Sequence, residues 1–344
     1  MTVKITLPHD NSYEIFIDEL NELYFDRKVV IITNPTVSGF HLEYLKTKIN
    51  ARELSVCTIP DGEEYKHMQT IEDMLAHCFT HRLDRKSLLI AFGGGVIGDM
   101  TGFAASIYQR GIDFVQIPTT LLSQVDASVG GKTGINNKFG KNLVGAFHQP
   151  IAVYIDPNFL KTLPKREFGA GVAEIVKMAV TFNKDFFEWL EQNDLTTDEN
   201  IRIAIAKSVQ TKADVVSQDE KELGIRAALN YGHTFGHVIE NETNYDTYLH
   251  GEAVGIGMCM ANALAVKIGL MSKDEERRVK ELLEKYDIPT TYKIKDVEDF
   301  YEHFFLDKKS LDNKIKFILP VGLGDCKITN EVTKNDVIEI LKGF

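Results

Sequence analysis

Short β-branched runs alternate with helical patterns through the first half of the chain, and this alternation constrains the fold more than any other feature. The runs that we predict as strands are Lys28–Thr33, Glu53–Ile59, Ser87–Phe92, Phe114–Ile117 and Ile151–Ile155. Such alternation is typical of a parallel sheet whose strands are joined by crossover helices. The first half is therefore predicted to be an α/β domain.

The pattern changes after residue 167, where apolar residues recur three and four positions apart. The stretches that we predict as helices are Phe168–Thr181, Asn200–Ser217, Ala227–Thr243 and Glu252–Gly269. A chain of 344 residues exceeds the length of about 250–300 residues at which one core usually stops growing. We place the boundary near Asp156–Pro164, which predicts an α/β domain over 1–160 and an all-α domain over 161–344.

The charge balance restricts the partners of this chain. Its formal net charge is -11, whereas nucleic acids and anionic membrane surfaces bind broad fields of Lys and Arg. We therefore expect neither of these partners, and any anionic ligand requires a local cationic pocket. The most apolar segment, Gly255–Leu270, is shorter than the ~20 residues of a membrane span and carries Asn262 and Lys267, so we predict a buried helix there.

Cysteine usage and the first residues indicate a cellular location. The four cysteines, Cys57, Cys78, Cys259 and Cys326, lie far apart in sequence without paired spacing. This distribution is typical of reduced packing residues rather than of a disulfide framework. The first ten residues contain no apolar run behind a basic segment. We expect no secretory signal and a location in the cytoplasm.

A glycine-rich turn follows the third predicted strand. The strand Ser87–Phe92 leads into Gly93-Gly94-Gly95-Val96-Ile97-Gly98-Asp99, and a helical pattern follows. Glycines at this spacing let a backbone approach a pyrophosphate at a helix N-terminus. A tight turn without a ligand remains the alternative, because the usual dinucleotide turn follows the first strand of its domain. A ribose could be bound by Asp61 or Glu63, and a carboxylate there favours NAD over NADP.

A second glycine cluster, Gly130-Gly131-Lys132-Thr133, resembles the end of a nucleoside-triphosphate loop. That motif requires glycine where this chain has Asp126, so we exclude a nucleoside triphosphatase. Glycines expose backbone amides, and Lys132 together with Lys141-Asn142 adds positive charge suited to a phosphate. A flexible surface loop is the alternative interpretation.

Two histidines four residues apart, His233 and His237, share one face if their segment is helical. The spacing alone is not specific, because His77 and His81 show it without any other sign of function. The second pair therefore requires support from other parts of the chain.

That support comes from two further helical segments. His250 opens one of them, and Glu174 lies three residues before Lys177 on the other. One carboxylate and two neutral imidazoles suit a zinc-like ion with open positions for substrate oxygens. A carboxylate in an apolar segment is costly to bury alone, so a cation should accompany Glu174. The spacing leaves His237 and Glu252 as competing ligands, and helix capping as the alternative role of His250.

Taken together, seven motifs resemble the 3-dehydroquinate synthase family, in order, from about residue 28 to Pro320. They are Gly93–Asp99, Pro118–Leu122, Asp126–Lys132, Lys141-Asn142, Glu174–Lys177, Asn230–His237 and His250–Glu252. The resemblance implies a Rossmann-like first domain, a helical second domain and an active site between them. It also implies a cytoplasmic homodimer that uses NAD and one divalent metal ion, zinc or cobalt.

The resemblance assigns roles residue by residue. The implied metal ligands are Glu174, His233 and His250. The implied catalytic residues are Lys132, Lys177, Lys212, Arg226, Asn230 and His237. The implied further substrate contacts are Arg110, Asp126, Asn142, Glu222 and Lys309, the last in preference to Lys308. The implied NAD contacts are Asp61, Gly62, Glu63, Lys66, Gly94, Gly95, Val96, Ile97, Gly98, Asp99, Thr119, Thr120, Lys132, Lys141, Phe159, Leu160, Lys161 and Thr162.

The implied reaction converts 3-deoxy-D-arabino-heptulosonate 7-phosphate to 3-dehydroquinate and phosphate in the shikimate pathway. Oxidation of one alcohol to a ketone acidifies the adjacent C–H bond and lets phosphate leave, after which the hydride is returned and the ring closes. The leaving phosphate itself can take the proton, so we assign no residue as the base.

Four other functions compete with this interpretation. A related sugar phosphate cyclase would use another substrate, and a metal-dependent glycerol or alcohol dehydrogenase would produce NADH in proportion to product. The cationic set around Lys132 and Lys212 exceeds what a neutral alcohol requires. A silent NAD-binding scaffold would tolerate loss of the metal ligands. A zinc hydrolase is disfavoured because no Glu follows His233 as the metalloprotease motif requires.

Overall fold

The computed structural model describes residues 1–8, 11–305 and 315–344. Contacts between residues divide the chain into two compact units. The first comprises Met1–Leu163 and Lys212–Lys221, and the second comprises Pro164–Thr211 and Glu222–Phe344. The assignment of NAD binding to residues 1–160 and of metal and substrate binding to residues 161–344 remains a prediction.

A seven-stranded sheet forms the centre of the first unit, in the order β1-β2-β9-β6-β5-β3-β4. Every pairing in it is parallel except that of β1 with β2, while β7 and β8 form a separate antiparallel pair. The strands are β1 (Thr2–Ile5), β2 (Tyr13–Ile17), β3 (Leu23–Thr33), β4 (Ile49–Thr58), β5 (Leu88–Gly93), β6 (Asp113–Pro118), β7 (Lys132–Asn137), β8 (Gly140–Phe147) and β9 (Ala152–Ile155). The predicted parallel α/β architecture is confirmed.

Apolar side chains on both faces of this sheet are buried. Along β3, Val30 and Ile32 belong to one core cluster, whereas Val29 and Ile31 belong to another. Alternate residues of a strand point to opposite faces, so the sheet is covered on both sides, as parallel sheets require. The helices of this unit are α1 (Pro35–Lys48), α2 (Met68–Thr80) and α3 (Gly95–Ile107).

The carboxyl ends of the parallel strands meet at one edge of the sheet. Ile59 N donates to Thr33 O beyond the ends of β3 and β4, and Thr119 N donates to Gly93 O beyond β5 and β6. The strand order reverses direction between β3 and β5. Open α/β sheets bind ligands beyond the carboxyl ends of their strands at such a reversal.

Helices dominate the second unit, as predicted. They are α4 (Lys165–Phe182), α5 (Lys184–Gln192), the first part of α6 (Asp198–Gln218), α7 (His233–Glu242), α8 (His250–Lys267), α9 (Lys273–Glu284), α10 (Val297–His303) and α11 (Lys334–Leu341). The prediction of an all-α domain requires one correction, because β10 (Phe317–Pro320) and β11 (Cys326–Thr329) form an antiparallel pair. No helix within the described ranges has the length and apolar character needed to cross a membrane.

The predicted helix Ala227–Thr243 is wrong over residues 227–232. A 3-10 turn covers Ile225–Asn230, and α7 begins only at His233. The break lies at Gly232, whose φ is +83°. A Cβ atom at this position would lie 2.8 Å from Val254 O in α8, so close packing between the two segments requires glycine. His233 consequently lies in the first turn of α7.

We expect the four thiols to be inert in the native protein. Burial raises the pKa of Cys57 and Cys326 to about 11 and that of Cys78 and Cys259 to about 12. At pH 8 the thiolate fraction is then about 0.001 or less, and only the thiolate reacts. Iodoacetamide should label all four cysteines in urea but few in buffer over the same time. Rapid labelling of the native protein at Cys78 would contradict this expectation.

Candidate functional site

The glycine-rich turn joins β5 to α3. Gly94 precedes the first residue of α3, so the backbone amides of the first helical turn are available to an anion. A Cβ atom on Gly93 would lie 2.6 Å from the side chain of Ile97, and one on Gly98 would lie 2.7 Å from Gln116 Oε1. Glycine at these positions therefore serves the packing of α3 against the sheet, as well as the proposed contact with a ligand.

The carboxylate of Asp61 is held by two donors beyond the ends of β3 and β4. Asn34 Nδ2 donates to its Oδ1 at 2.7 Å, and Thr36 Oγ1 donates to its Oδ2 at 2.6 Å. The other acidic candidate, Glu63, accepts from Asn136 Nδ2 at 2.8 Å. The sequence interpretation missed Asn34, although an Asn-Pro step directly after a buried strand marked that position.

Lys66 brings two other predicted residues together. Its Nζ donates to Asp99 Oδ2 and to Asn142 Oδ1, each at 2.6 Å, and the residue is only 4% exposed. Burial by itself lowers the pKa of Lys66, but the charges of Asp99 and Glu63 outweigh this effect and raise the pKa above its usual value. Lys66 thus remains charged beside the glycine-rich turn.

Asp126 and Lys212 form a second polar contact in this unit. Asp126 lies in a π-helical turn, Ser123–Ala127, shortly after Thr119 and Thr120. Lys212 Nζ donates to the Asp126 carbonyl at 2.6 Å and also contacts the Asp126 carboxylate. Lys132 begins β7 and is exposed, while Lys141 is half-buried in β8.

The remaining predicted cofactor and substrate positions differ in exposure. Phe159 lies in the 3-10 turn after β9 and is buried against Phe92, with ring centroids 5.4 Å apart. Leu160 in the same turn is half-buried, and Lys161 and Thr162 are exposed, as is Arg110 at a φ of +70°. Lys309 and its neighbour Lys308 lie outside the described residues.

Three helices of the second unit bring Glu174, His233 and His250 together. One ligand atom from each lies within 4.8 Å of the others. Residues 169–181 of α4 are all buried, and a Cβ atom on Gly251 would lie 2.0 Å from Ala170 O. This close packing of α8 against α4 places His250 Nε2 3.8 Å from Glu174 Oε1.

Hydrogen bonds orient both histidine rings. The Nδ1 atom of His233 lies 3.2 Å from Tyr231 O, and that of His250 lies 3.3 Å from Glu240 Oε1. An Nδ1–H group that donates to oxygen leaves the Nε2 lone pair for a metal. The pKa of His233 lies well below its usual value because of burial, with the charge of Lys177 as the next cause. His233 is therefore neutral, which is the form that binds metals.

The structure also shows what the two competing ligands contact. Glu252 accepts two hydrogen bonds from Arg166, each at 2.6 Å, and a third from Leu249 N at 2.8 Å. The ring centroid of His237 lies 5.5 Å from that of His233 and 6.4 Å from that of His250. Neither residue belongs to the group of three ligand atoms.

Cationic and amide side chains lie around the same helices. Lys177, only 1% exposed, forms an ion pair with Glu174 one turn earlier on α4. Arg226, also 1% exposed, lies in the 3-10 turn Ile225–Asn230 that packs against α4. Asn230 at the end of this turn donates to Glu222.

Two family models match consecutive parts of the chain. The model of the 3-dehydroquinate synthase N-terminal region matches residues 56–170, and that of the C-terminal region matches residues 171–310. The chain belongs to the 3-dehydroquinate synthase family. The curated 3-dehydroquinate synthase of Sulfurovum sp. (strain NBC37-1) is 65% identical over 346 residues, which cover 100% of this chain and 99% of the relative.

Solved structures place this family member among the sugar phosphate cyclases. The 2-epi-5-epi-valiolone synthase of Streptomyces hygroscopicus subsp. jinggangensis 5008, with NAD+ and Zn2+ bound, is 26% identical with a TM-score of 0.86, and 99% of each chain is covered. A 2-deoxy-scyllo-inosose synthase complexed with carbaglucose-6-phosphate, NAD+ and Co2+ is 25% identical with a TM-score of 0.86, covering 100% of this chain and 99% of its own.

A more distant likeness extends to the fold alone. A probable glycerol dehydrogenase from Sinorhizobium meliloti 1021 is 16% identical with a TM-score of 0.60, covering 92% of this chain and 90% of its own. The family establishes the class of chemistry. This chain is an enzyme, a lyase that depends on NAD and a divalent metal ion.

Proposed function

We propose that the chain converts 3-deoxy-D-arabino-heptulosonate 7-phosphate to 3-dehydroquinate and phosphate in the shikimate pathway, as a homodimer in the cytoplasm. The structural observation that carries this proposal is the group of Glu174, His233 and His250, of which the first two are buried and His250 is half-buried, with Lys177 beside it. The likeness to curated synthases over the full chain supports the same conclusion.

The donor atoms fit one divalent metal ion. A carboxylate and two imidazoles are typical zinc ligands, and three protein ligands leave positions for substrate. Glu174 is completely buried, and a buried carboxylate requires positive charge nearby. When bound, zinc or cobalt would hold substrate hydroxyl oxygens and lower the pKa of the one that is oxidised.

The first unit fits NAD. The amides at the start of α3 suit a diphosphate, and the carboxylate of Asp61 suits a ribose hydroxyl. When bound there, NAD would supply reversible hydride transfer. We assign the substrate phosphate and carboxylate to Lys132, Asn142, Lys212, Arg226 and Asn230, because charge-assisted hydrogen bonds are roughly twice as strong as neutral ones.

Asp61→Asn is expected to weaken NAD binding by about tenfold or more, since a hydrogen bond to a charged group contributes about 1.5–3 kcal/mol. The affinity for NADP should fall less than the affinity for NAD, because the variant lacks the carboxylate that would repel a 2′-phosphate. Titration of both nucleotides measures the two dissociation constants. Asp113→Asn, at the start of β6 and the opposite edge of the sheet, serves as the control. Unchanged NAD affinity in Asp61→Asn would contradict this assignment.

The decisive assay measures phosphate release by purified protein supplied with zinc and trace NAD. We expect the heptulosonate phosphate to release many equivalents of phosphate for each NAD. Release only from sedoheptulose 7-phosphate would indicate a different cyclase, and NADH equal to product would indicate a dehydrogenase. Sedimentation at twice the chain mass of 38.8 kDa tests the proposed dimer.

A further inference from the structure

Glu240 is a buried carboxylate that the assignments above leave without a role. It lies on α7, seven residues after His233 and three after His237, and is only 3% exposed. Residues three and seven apart on a helix share one face, so Glu240 lies on the side of α7 that carries both histidines. Burying a carboxylate is costly unless it is paired.

The contact of Glu240 with His250 joins two elements of the second unit. Glu240 Oε1 accepts from His250 Nδ1 at 3.3 Å, while His250 Nε2 lies 3.8 Å from Glu174 Oε1. The two nitrogens of one ring thus face two different carboxylates. A hydrogen bond at Nδ1 selects the tautomer whose Nε2 lone pair is available, and it also limits rotation of the ring.

The other histidine of the group has a weaker partner. The Nδ1 atom of His233 faces Tyr231 O, a neutral carbonyl, at 3.2 Å. A charged acceptor makes a stronger hydrogen bond than a neutral one and increases the basicity of the ring more. Among the described contacts, the hydrogen bond that orients the His250 ring is therefore stronger than the one that orients the His233 ring.

We propose that Glu240 is a positioning residue that orients His250 as a metal ligand and thereby increases the affinity of the enzyme for its divalent metal. This inference rests on the metal site assigned under the proposed function. It adds a residue outside the group of ligands.

The test measures zinc affinity by competition with a chelator in the full-length protein and in Glu240→Ala and Glu240→Gln. We expect Glu240→Ala to bind zinc about 10–100-fold more weakly, which is the usual effect of losing an outer partner of a ligand. The zinc affinity of Glu240→Gln should lie between those of the wild type and Glu240→Ala, because the amide oxygen can still accept from His250 Nδ1 but carries no charge. The visible absorption of bound Co2+ should change in Glu240→Ala, since the ligand field reports ring orientation.

Glu242→Gln is the matched control on the same helix. Glu242 accepts from Tyr292 at 2.7 Å and forms, with Asp299 and His303, the other group of three ligand atoms found in the described residues. Zinc affinity should not change in this variant. Loss of affinity in Glu242→Gln but not in Glu240→Ala would overturn the proposal, as would Glu240→Ala with wild-type affinity and an unchanged Co2+ spectrum.

Two further measurements separate this inference from the proposed function. If the wild type releases no phosphate but Glu240→Ala still binds zinc more weakly, the proposed reaction fails and the role of Glu240 stands. If His250→Ala binds zinc with wild-type affinity, the metal site itself is wrong and the role of Glu240 falls with it. Thermal unfolding of the metal-free variants and NAD titration check that the fold is intact.

Discussion

His250→Ala is expected to abolish phosphate release while leaving NAD affinity nearly unchanged. The imidazole of His250 is one of the three ligand groups assigned to the metal. A metal that stabilises developing charge contributes several kcal/mol, so losing it should slow turnover by roughly a thousandfold or more. The assigned NAD contacts belong to the first unit, whereas His250 belongs to the second.

Initial rates of phosphate release and titration of NAD provide the two measurements. His303→Ala is a suitable control, because His303 lies in the same unit in another group of ligand atoms. It should retain both activity and NAD affinity. Equal loss of NAD binding and turnover in His250→Ala would contradict the assignment of NAD binding to the first unit and metal binding to the second. Full activity of the chelator-treated wild type would contradict the role of the metal.

Lys177→Met is expected to lower the free energy of unfolding of the metal-free protein by about 3–5 kcal/mol, because it leaves a buried charge without its ion-pair partner. Glu174 and Lys177 are 0% and 1% exposed, so water cannot replace the lost cation. Saturating zinc should restore part of this stability, since the metal supplies positive charge beside Glu174. Urea unfolding with and without zinc measures both effects.

Two other variants show whether the charge or the packing of Lys177 matters. Adding Glu174→Gln to Lys177→Met should recover much of the lost stability, because it removes the buried charge as well. Lys184→Met removes an exposed pair with Glu188 on α5 and should cost less than about 1 kcal/mol. A metal-free Lys177→Met protein as stable as the wild type would show that Glu174 does not depend on Lys177.

The strands of the central sheet could be predicted where both faces are covered. All six residues of β5 are buried, so its apolar run was recognisable without knowledge of its neighbours. Strands β1 and β2 were missed because they have only four and five residues, which leaves little pattern for a periodicity argument. The β10–β11 pair escaped prediction for a related reason, since each of its strands has only four residues.

Spacing along the chain identified candidate ligands but did not separate them. It shows which residues share one helix face, so His233 and His237 were equivalent before the helices were packed. The full set of motifs favoured His233 through family resemblance. The contacts of Glu252 with Arg166 and of Glu240 with His250 join residues 86 and 10 positions apart, and no local period predicts either contact.

The sequence by itself determined the parallel sheet, the helical second half, the glycine-rich turn and the family, because local periodicity and ordered motifs are properties of the chain. Only the tertiary structure decided where α7 begins, which donor atoms meet, and which carboxylate contacts which histidine. These features depend on the close approach of α8 to α4 and α7, where Gly251 and Gly232 leave no space for a side chain. Helix packing, rather than spacing, therefore brings these three donor groups together.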